Sequence, residues 1–299
     1  MRGNVLEKIS DDISKELGVP FKASFSSRGS GGGSGASVGT ITDSAGSGHK
    51  FFCKSGDAAD FDMLRAEYLG LKEMYETRTI RVPRPICTGL VGNQSYAVFE
   101  YLAMGVSRGA ESAREMGRGL AKMHLCHSKT GKFGFHIDNT IGATPQPNGW
   151  MDSWPEFWDE RRLGHMLRLC EQQGAKYPQA KELREKVKAV LSEADVKPSL
   201  VHGDLWTGNA GYTADGEGCI FDPATYYGHS EVDLAMSELF GSLPGGFYAG
   251  YHEVIPQQPG HEQRKVIYNM YHMLNHYVLF GGGYWGSAVT MMNKVMNMA

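Results

Sequence analysis

The segments Val201-His202-Gly203-Asp204-Leu205-Trp206-Thr207-Gly208-Asn209 and Ile220-Phe221-Asp222-Pro223-Ala224 hold the densest grouping of chemically useful side chains in this chain. Asp204 and Asn209 stand five positions apart on a glycine-containing loop. Asp222 follows Asp204 by 18, at the end of a strand that a hairpin through Ala214-Asp215-Gly216 runs back beside that loop. Three oxygen-bearing side chains thereby converge. Such a set suits a hard divalent cation such as Mg²⁺, which takes oxygen ligands, keeps several waters and is completed by substrate phosphates. With Asn209 and Asp222 as ligands, Asp204 is left to hold a substrate hydroxyl in line with a terminal phosphate and to accept its proton. Asp and Asn also favour plain turns, the reading given to Asp215-Gly216, but turn propensity does not account for the joint spacing of the other three.

Phosphoryl transfer further needs a cradle for phosphates and a cation. Between Gly29 and Gly48 stand eight glycines and many serines, a composition shared by flexible linkers and phosphate-binding loops. The strand signal Phe51-Phe52-Cys53-Lys54 that follows favours the loop, with residues 38–42 and 49–54 paired as a hairpin. On that strand Phe52 and Lys54 share one face, and Phe51 and Cys53 the other, so Lys54 can point into a cleft as the cation for the α- and β-phosphates of ATP. Phe61, Leu64, Tyr68, Leu71 and Tyr75 recur at helical spacing, and Glu67 borders their apolar stripe, where a buried carboxylate needs a cation. Lys54 and Glu67 therefore explain each other. The pair holds the lysine against roughly 2 kcal/mol of rotamer entropy, a positioning role more than a stabilising one.

At this point the residues resemble the protein-kinase-like superfamily. The string HGDLWTGNAGYTADGEGCIFDPATYYGHSEVD over residues 202–233 is similar, more specifically, to the fructosamine-3-kinase (ketosamine-3-kinase) family. HGD-x-x-x-x-N alone is shared with aminoglycoside, choline and homoserine kinases. The distinguishing stretches are HGDLWTGN, FDPATYYGHSEVDLAM, TRTIRVPRP at 77–85 and GFHIDNTIGATPQPN at 134–148, with Arg161-Arg162-Leu163-Gly164 and Leu274-Asn275-His276-Tyr277 in support, so the likeness covers nearly the whole chain. It implies an α+β, two-lobed protein-kinase-like fold, with a β-rich nucleotide-binding N-lobe over 1–103 and a mainly helical C-lobe over 104–299. It implies Asp204 as catalytic base, Asn209 and Asp222 as Mg²⁺ ligands, Lys54 on the nucleotide phosphates with Glu67 as partner, and Asp233 bracing the catalytic loop. Glu100 to Leu102 becomes the inter-lobe strand whose backbone hydrogen-bonds adenine. The implied reaction is ATP-dependent phosphorylation of the 3-hydroxyl of a ketosamine, on a protein lysine or a free amine. The ester then eliminates and frees the amine, reversing an early step of glycation.

The departure lies in the glycine segment, longer and richer in Gly and Ser than the short glycine pair of that family. Gly32, Gly33 and Ser34 are taken as the phosphate-covering residues. Trp206 and His229 sit beside the catalytic loop as candidates for sugar contact, with a buried aromatic and a structural histidine as equal alternatives. His202 reads as a loop brace rather than an acid or base. Competing readings are a choline- or aminoglycoside-type kinase, which needs an aromatic cage or an acidic pocket, neither clearly present. A nucleotide-binding regulator without turnover is a third, motivated by the glycine segment and Cys53.

The supporting elements are legible in outline. Val5, Leu6, Ile9, Ile13 and Leu17 mark a helix over 1–18 stopped by Gly18-Val19-Pro20, and the next helix ends near Thr77. A proline-marked turn at 82–85 and a strand at 96–101 precede a connector at Ala103-Met104-Gly105. Helices are expected at 111–127, from a capping box at Ser153-Trp154-Pro155-Glu156 through about 170, and at 181–194. Trp150, Trp154 and Trp158, at i, i+4 and i+8, read as one packing face of the second.

The 299 residues suggest two domains or lobes at about 150 residues each. Apolar residues at 41% and charged residues at 21% exclude disordered and coiled-coil classes. With 30 Lys and Arg against 33 Asp and Glu and no dense basic block, no nucleic-acid or anionic-membrane surface is indicated. No run nears the roughly 18 apolar residues of a membrane span, and the first 20 residues lack a signal-peptide core. The five scattered cysteines contain no C-x-x-C pair, so a disulfide framework or zinc site is not expected, and a cytoplasmic monomer or weak homodimer is.

Overall fold

The computed structural model describes residues 3–30 and 36–298, with the side chains of 28–30 outside that description. Gly32, Gly33 and Ser34, chosen from sequence to cover the phosphates, lie outside the described residues.

The chain opens with α1 (Gly3–Leu17), then β1 (Ala23–Ser30), β2 (Ser37–Asp43) and β3 (Lys50–Asp57). Asp57 accepts a hydrogen bond from the Ala59 amide and, with Asp60, forms a capping box on a short 3₁₀ turn that launches α2 (Phe61–Thr77). β4 (Pro85–Val91) and β5 (Gln94–Glu100) complete an antiparallel sheet of order β1-β2-β3-β5-β4. The Val38↔Lys54 register confirms the hairpin expected from the glycine-flanked strands. β1 and β4 were not anticipated. One is disguised by its Ser- and Gly-rich composition, the other by starting on a proline, a residue tolerated at the first position of an edge strand.

Alternation on β3 divides the sheet's two faces. Phe51 and Cys53 join Val5, Ile9 and Ile13 of α1 in one apolar cluster, while Phe52 packs against a second, larger cluster and Lys54 shares its side. α2 lies on that second side, burying Leu64, Leu71 and Met74; Tyr75, expected on the stripe, is exposed.

The remainder holds α3 (Ala110–His124), β6 (Asn139–Ile141), β7 (Thr144–Gln146), α4 (Trp154–Phe157), α5 (Gly164–Gln172) and α6 (Ala180–Ser192). β8 (Ser199–Val201), β9 (Ala210–Tyr212), β10 (Gly218–Ile220) and β11 (Tyr226–Gly228) follow, then α7 (Glu231–Ser237), α8 (Phe247–His252), α9 (His261–Phe280) and α10 (Tyr284–Met296). β9 pairs with β10 as the predicted hairpin, and β8 with β11. α3 and α8 cross with their backbones in contact: a Cβ on Gly117 would meet the Phe247 carbonyl at 2.0 Å, and one on Gly250 the Arg114 carbonyl at 2.1 Å.

The helix expected over 153–170 is broken by a π-helical turn at Trp158–Leu163 between α4 and α5. Ser153 makes no side-chain capping bond, so the capping box is absent there. The wide turn seats a buried Arg162, whose guanidinium donates to the carbonyl of Pro147 and to Asn148 Oδ1 and lies over the rings of Phe157 and Tyr226. Trp154 and Trp158 are buried as predicted, but Trp150 precedes the helix and is exposed, its ring beside Tyr227.

The larger cluster runs without a break from Leu64, Leu71 and Met74 to Met116, Ile220 and the C-terminal helices, across residue 103. Among the described residues no helix is long and apolar enough to cross a membrane.

Candidate active site

The 202–209 loop hangs between β8 and β9 and is fastened from below. Asp233, on α7 and fully buried, accepts hydrogen bonds from the amides of His202 (2.7 Å) and Gly203 (2.8 Å), and its Oδ2 lies 3.0 Å from His124 Nε2. Burial opposes ionisation of Asp233, but His124, His202 and the Gly203 amide override it and hold its carboxyl below the usual range. His202, also fully buried, ties two strands of the site together: its Nε2 lies 2.8 Å from the Phe221 carbonyl, and its Nδ1 accepts from the Asp204 amide at 3.2 Å. Only a neutral ring, protonated on Nε2, serves both bonds, and burial pushes its pKa down accordingly. The brace expected of His202 is thus present in detail. Gly203 has φ +83°, and a Cβ there would stand 2.1 Å from the Ala224 carbonyl, so this turn requires glycine.

Asp222 sits just past β10 with φ +56°, a left-handed conformation that L-residues other than Asn and Asp rarely take. Its carboxylate is held in turn by Lys54, whose Nζ lies 2.9 Å from Asp222 Oδ1 and 2.8 Å from Glu67 Oε1. Burial alone would lower the Lys54 pKa, but the two carboxylates outweigh it and raise the value above that of a free lysine, so the ammonium stays charged. Asn209 Nδ2 donates to the Asp204 carbonyl (2.9 Å) and to Asp204 Oδ2 (3.2 Å). Asp204, Asn209, Asp222, Lys54 and Glu67 are thus brought together, as the sequence predicts.

These five line one cavity of about 670 Å³, which Trp206 also borders. Burial, then the Asp222 charge, pushes the Asp204 carboxyl up to about 7. Two carboxylates and an amide oxygen, with one carboxylate disfavouring ionisation of the other, form an all-oxygen donor set with negative charge to spare, which fits a hard divalent cation. Among the described residues no group of three or more His, Cys, Asp and Glu could hold a metal ion, so a cation here relies on Asn209 and on oxygens of the substrate.

A second cavity, of about 280 Å³, opens beside it, sharing Glu67 and Asp222 and walled by Phe52, Leu71, Phe99, Leu102, Met104 and Phe221. Glu100 borders this slot too, but its side chain is turned to Arg81 and the Arg84 amide, and its own amide donates to the Arg84 carbonyl at 2.8 Å.

At His229 the structure takes the structural-histidine alternative, and at Cys53 it bears out a buried strand residue. His229, a candidate for sugar contact, is 3% exposed, lies outside the cavity lining and faces the Tyr268 hydroxyl at 2.7 Å, packed beside Trp154. Its place is in the core. Cys53 is fully buried, and desolvation pushes its thiol up to about 12, so it does not act as a reactive thiol. Sequence reasoning also left unassigned several residues of the larger cavity, among them Asn139, Phe240, Asn275, His276, Phe280 and Tyr284. Their strings at 134–148 and 274–277 had marked the family without showing that they meet at the site.

The fructosamine kinase family model matches residues 5–298. A Synechocystis protein named as a ketoamine kinase is 45% identical over 98% of this chain and 97% of its own. The chloroplastic protein-ribulosamine 3-kinase of Oryza sativa subsp. indica is 44% identical over 83% of this chain and 73% of its own. A Haemophilus somnus crystal structure assigned as a fructosamine-3-kinase superposes with a TM-score of 0.86, at 27% identity over 96% of both chains. Solved macrolide and aminoglycoside phosphotransferases, at 14% and 12% identity, share the protein-kinase-like fold alone. A hairpin loop braced by Asp233 opposite a lysine-bearing sheet accords with a match that spans nearly the full length, and the chain belongs to the fructosamine kinase family.

Proposed function

We propose that this protein is an ATP-dependent ketosamine 3-kinase that acts on ribulosamine or fructosamine adducts of protein lysines or small amines. The observation that carries the reading is the meeting of Asp204, Asn209 and Asp222 with the Lys54–Glu67 pair in one cavity. The division of labour follows the chain: residues 1–103 hold the nucleotide and residues 104–299 hold the acceptor and the transfer machinery.

The flat apolar slot bordered by Phe52, Phe99 and Leu102 takes adenine, with the backbone of Glu100 to Leu102 along its edge. Lys54 serves the phosphates while Glu67 keeps it in place. Asn209 and Asp222 would hold Mg²⁺, which when bound neutralises charge on the transferring phosphoryl group. Asp204 accepts a hydrogen bond from the 3-hydroxyl. As the new O–P bond forms and the bond to ADP breaks, the hydroxyl proton passes to its carboxylate. A carboxyl raised by burial is a stronger base than a free one, which suits this transfer near neutral pH. Trp206 covers one flank of the acceptor. A cytoplasmic location and glycated proteins as physiological substrates belong to the same reading.

Incubation with ATP, Mg²⁺ and a ribulosamine or fructosamine is expected to yield the 3-phosphate. Asp204→Asn should lower kcat about 10²- to 10⁴-fold, with KM for ATP nearly unchanged. A wild-type protein silent on every ketosamine overturns the substrate class.

A further inference from the structure

The larger cavity has two chemically unlike ends. Its polar part holds Lys54, Asp204, Asn209 and Asp222, and the lining also includes Asn275, which is 2% exposed and whose Oδ1 has no hydrogen-bond partner. Away from the loop it is walled by aromatic rings carried on three separate elements. Phe240 follows α7, His276 and Phe280 end α9, and Tyr284 begins α10. The His276 ring centroid lies 4.7 Å from Phe240, 5.7 Å from Phe280 and 5.1 Å from Tyr284, so the four form one continuous surface. Its outermost member, Phe280, is 61% exposed.

This surface carries no charge toward the cavity. Among the described residues the acidic members of the lining are Glu67, Asp204 and Asp222, and His276 Nδ1 is engaged by the His272 carbonyl at 2.8 Å while burial lowers its pKa. A clustered, partly exposed aromatic wall continuous with the cavity offers apolar surface that the hydrocarbon part of a substrate can cover.

Building on the ketosamine kinase reading, we propose that the Phe240–His276–Phe280–Tyr284 wall is the subsite for the amine carrier of the substrate. It packs the methylene stem of a glycated lysine while the polar end holds the ketose. A lysine side chain lends itself to this, because its stem buries along apolar surface and its substituted nitrogen, still cationic, gains from the faces of nearby rings. The wall thereby selects among ketosamines by the alkyl part beyond the nitrogen.

The test uses one ketose on a series of straight-chain primary amines from methylamine to hexylamine, with steady-state kinetics at saturating ATP and Mg²⁺. In the wild type KM should fall about two- to fourfold per added methylene over the first several carbons, with kcat nearly constant. In Phe280→Ala and Phe240→Ala that dependence should flatten, so the loss grows with chain length. Phe280 is 61% exposed and Phe240 37%, and circular dichroism of each variant checks that it folds. A wild-type KM indifferent to chain length, or a variant loss equal at every length, overturns the subsite while leaving the kinase reading intact. Absence of turnover with the whole series and with a glycated protein removes the reading and this proposal together.

Discussion

At the scale of single residues the site is a set of opposed titration effects. Asp204 is pushed up to about 7, whereas Glu231, bonded through both oxygens to Arg264, is held down at about 2. Burial raises both, but only Glu231 has a cation to reverse the effect. For Asp204 the folded value exceeds the unfolded one, so the fold retains a proton that the unfolded chain has lost, and stability falls as pH rises from about 4 to about 7. For Glu231 the sign is opposite: its contribution is whole above about 4.5 and is lost as pH falls toward about 2. With chelator and no nucleotide, Asp204→Asn should be more stable than wild type at pH 8, by about 1 kcal/mol or about 2 °C, and the gap should close by pH 4. Glu231→Gln should lose stability at pH 7 and converge on wild type near pH 2. Melting temperatures against pH check both, and a gap for Asp204→Asn that widens toward acid would contradict the assignment.

At the scale of elements, legibility followed locality. The β9–β10 hairpin and the β2–β3 pair are close in sequence and announced by turn residues, so Asp204, Asn209, Asp222 and Lys54 could be placed from spacing. Glu67 declared itself as a carboxylate beside an apolar stripe. Asp233 was reached through family likeness, since nothing near it in the chain points to the amides of His202 and Gly203. The aromatic wall was invisible because its rings come from the turn after α7 and from α9 and α10, whose meeting is a tertiary event. His229 stayed undecided in the sequence for the complementary reason: closeness to the loop along the chain does not bring it to the cavity. The π turn escaped because its cause, the buried guanidinium of Arg162, lies in contacts with Pro147 and Asn148. The α3–α8 crossing was likewise hidden, and it sets a strict requirement. Gly117→Ala should destabilise the protein by about 2–3 kcal/mol, read as a lower urea midpoint at unchanged m. Gly286→Ala, on α10 with open space where the Cβ would go, should be neutral or slightly stabilising. Equal effects at the two positions would show that helix propensity, not the close approach, governs Gly117.

At the scale of the molecule, the larger apolar cluster is shared between α2 and the C-terminal helices, so neither half owns a complete core on that side. The cleft lined by Lys54, Asp204 and Asp222 is cut into one hydrophobic body. Calorimetry of the free protein should therefore show a single transition, with van't Hoff and calorimetric enthalpies in agreement. Two resolved transitions would mean that the sheet and α1 melt apart from the rest. The continuity also bears on how such a chain can be rearranged by recombination. A graft that took the first 103 residues from a distant kinase would bring its own counterparts of Leu64, Leu71 and Met74 to a surface shaped for these, and the seam would run through packed side chains instead of a linker. Exchange of parts at that boundary is thus a repacking problem, and the unit that nature or an engineer can trade without one is the entire polypeptide.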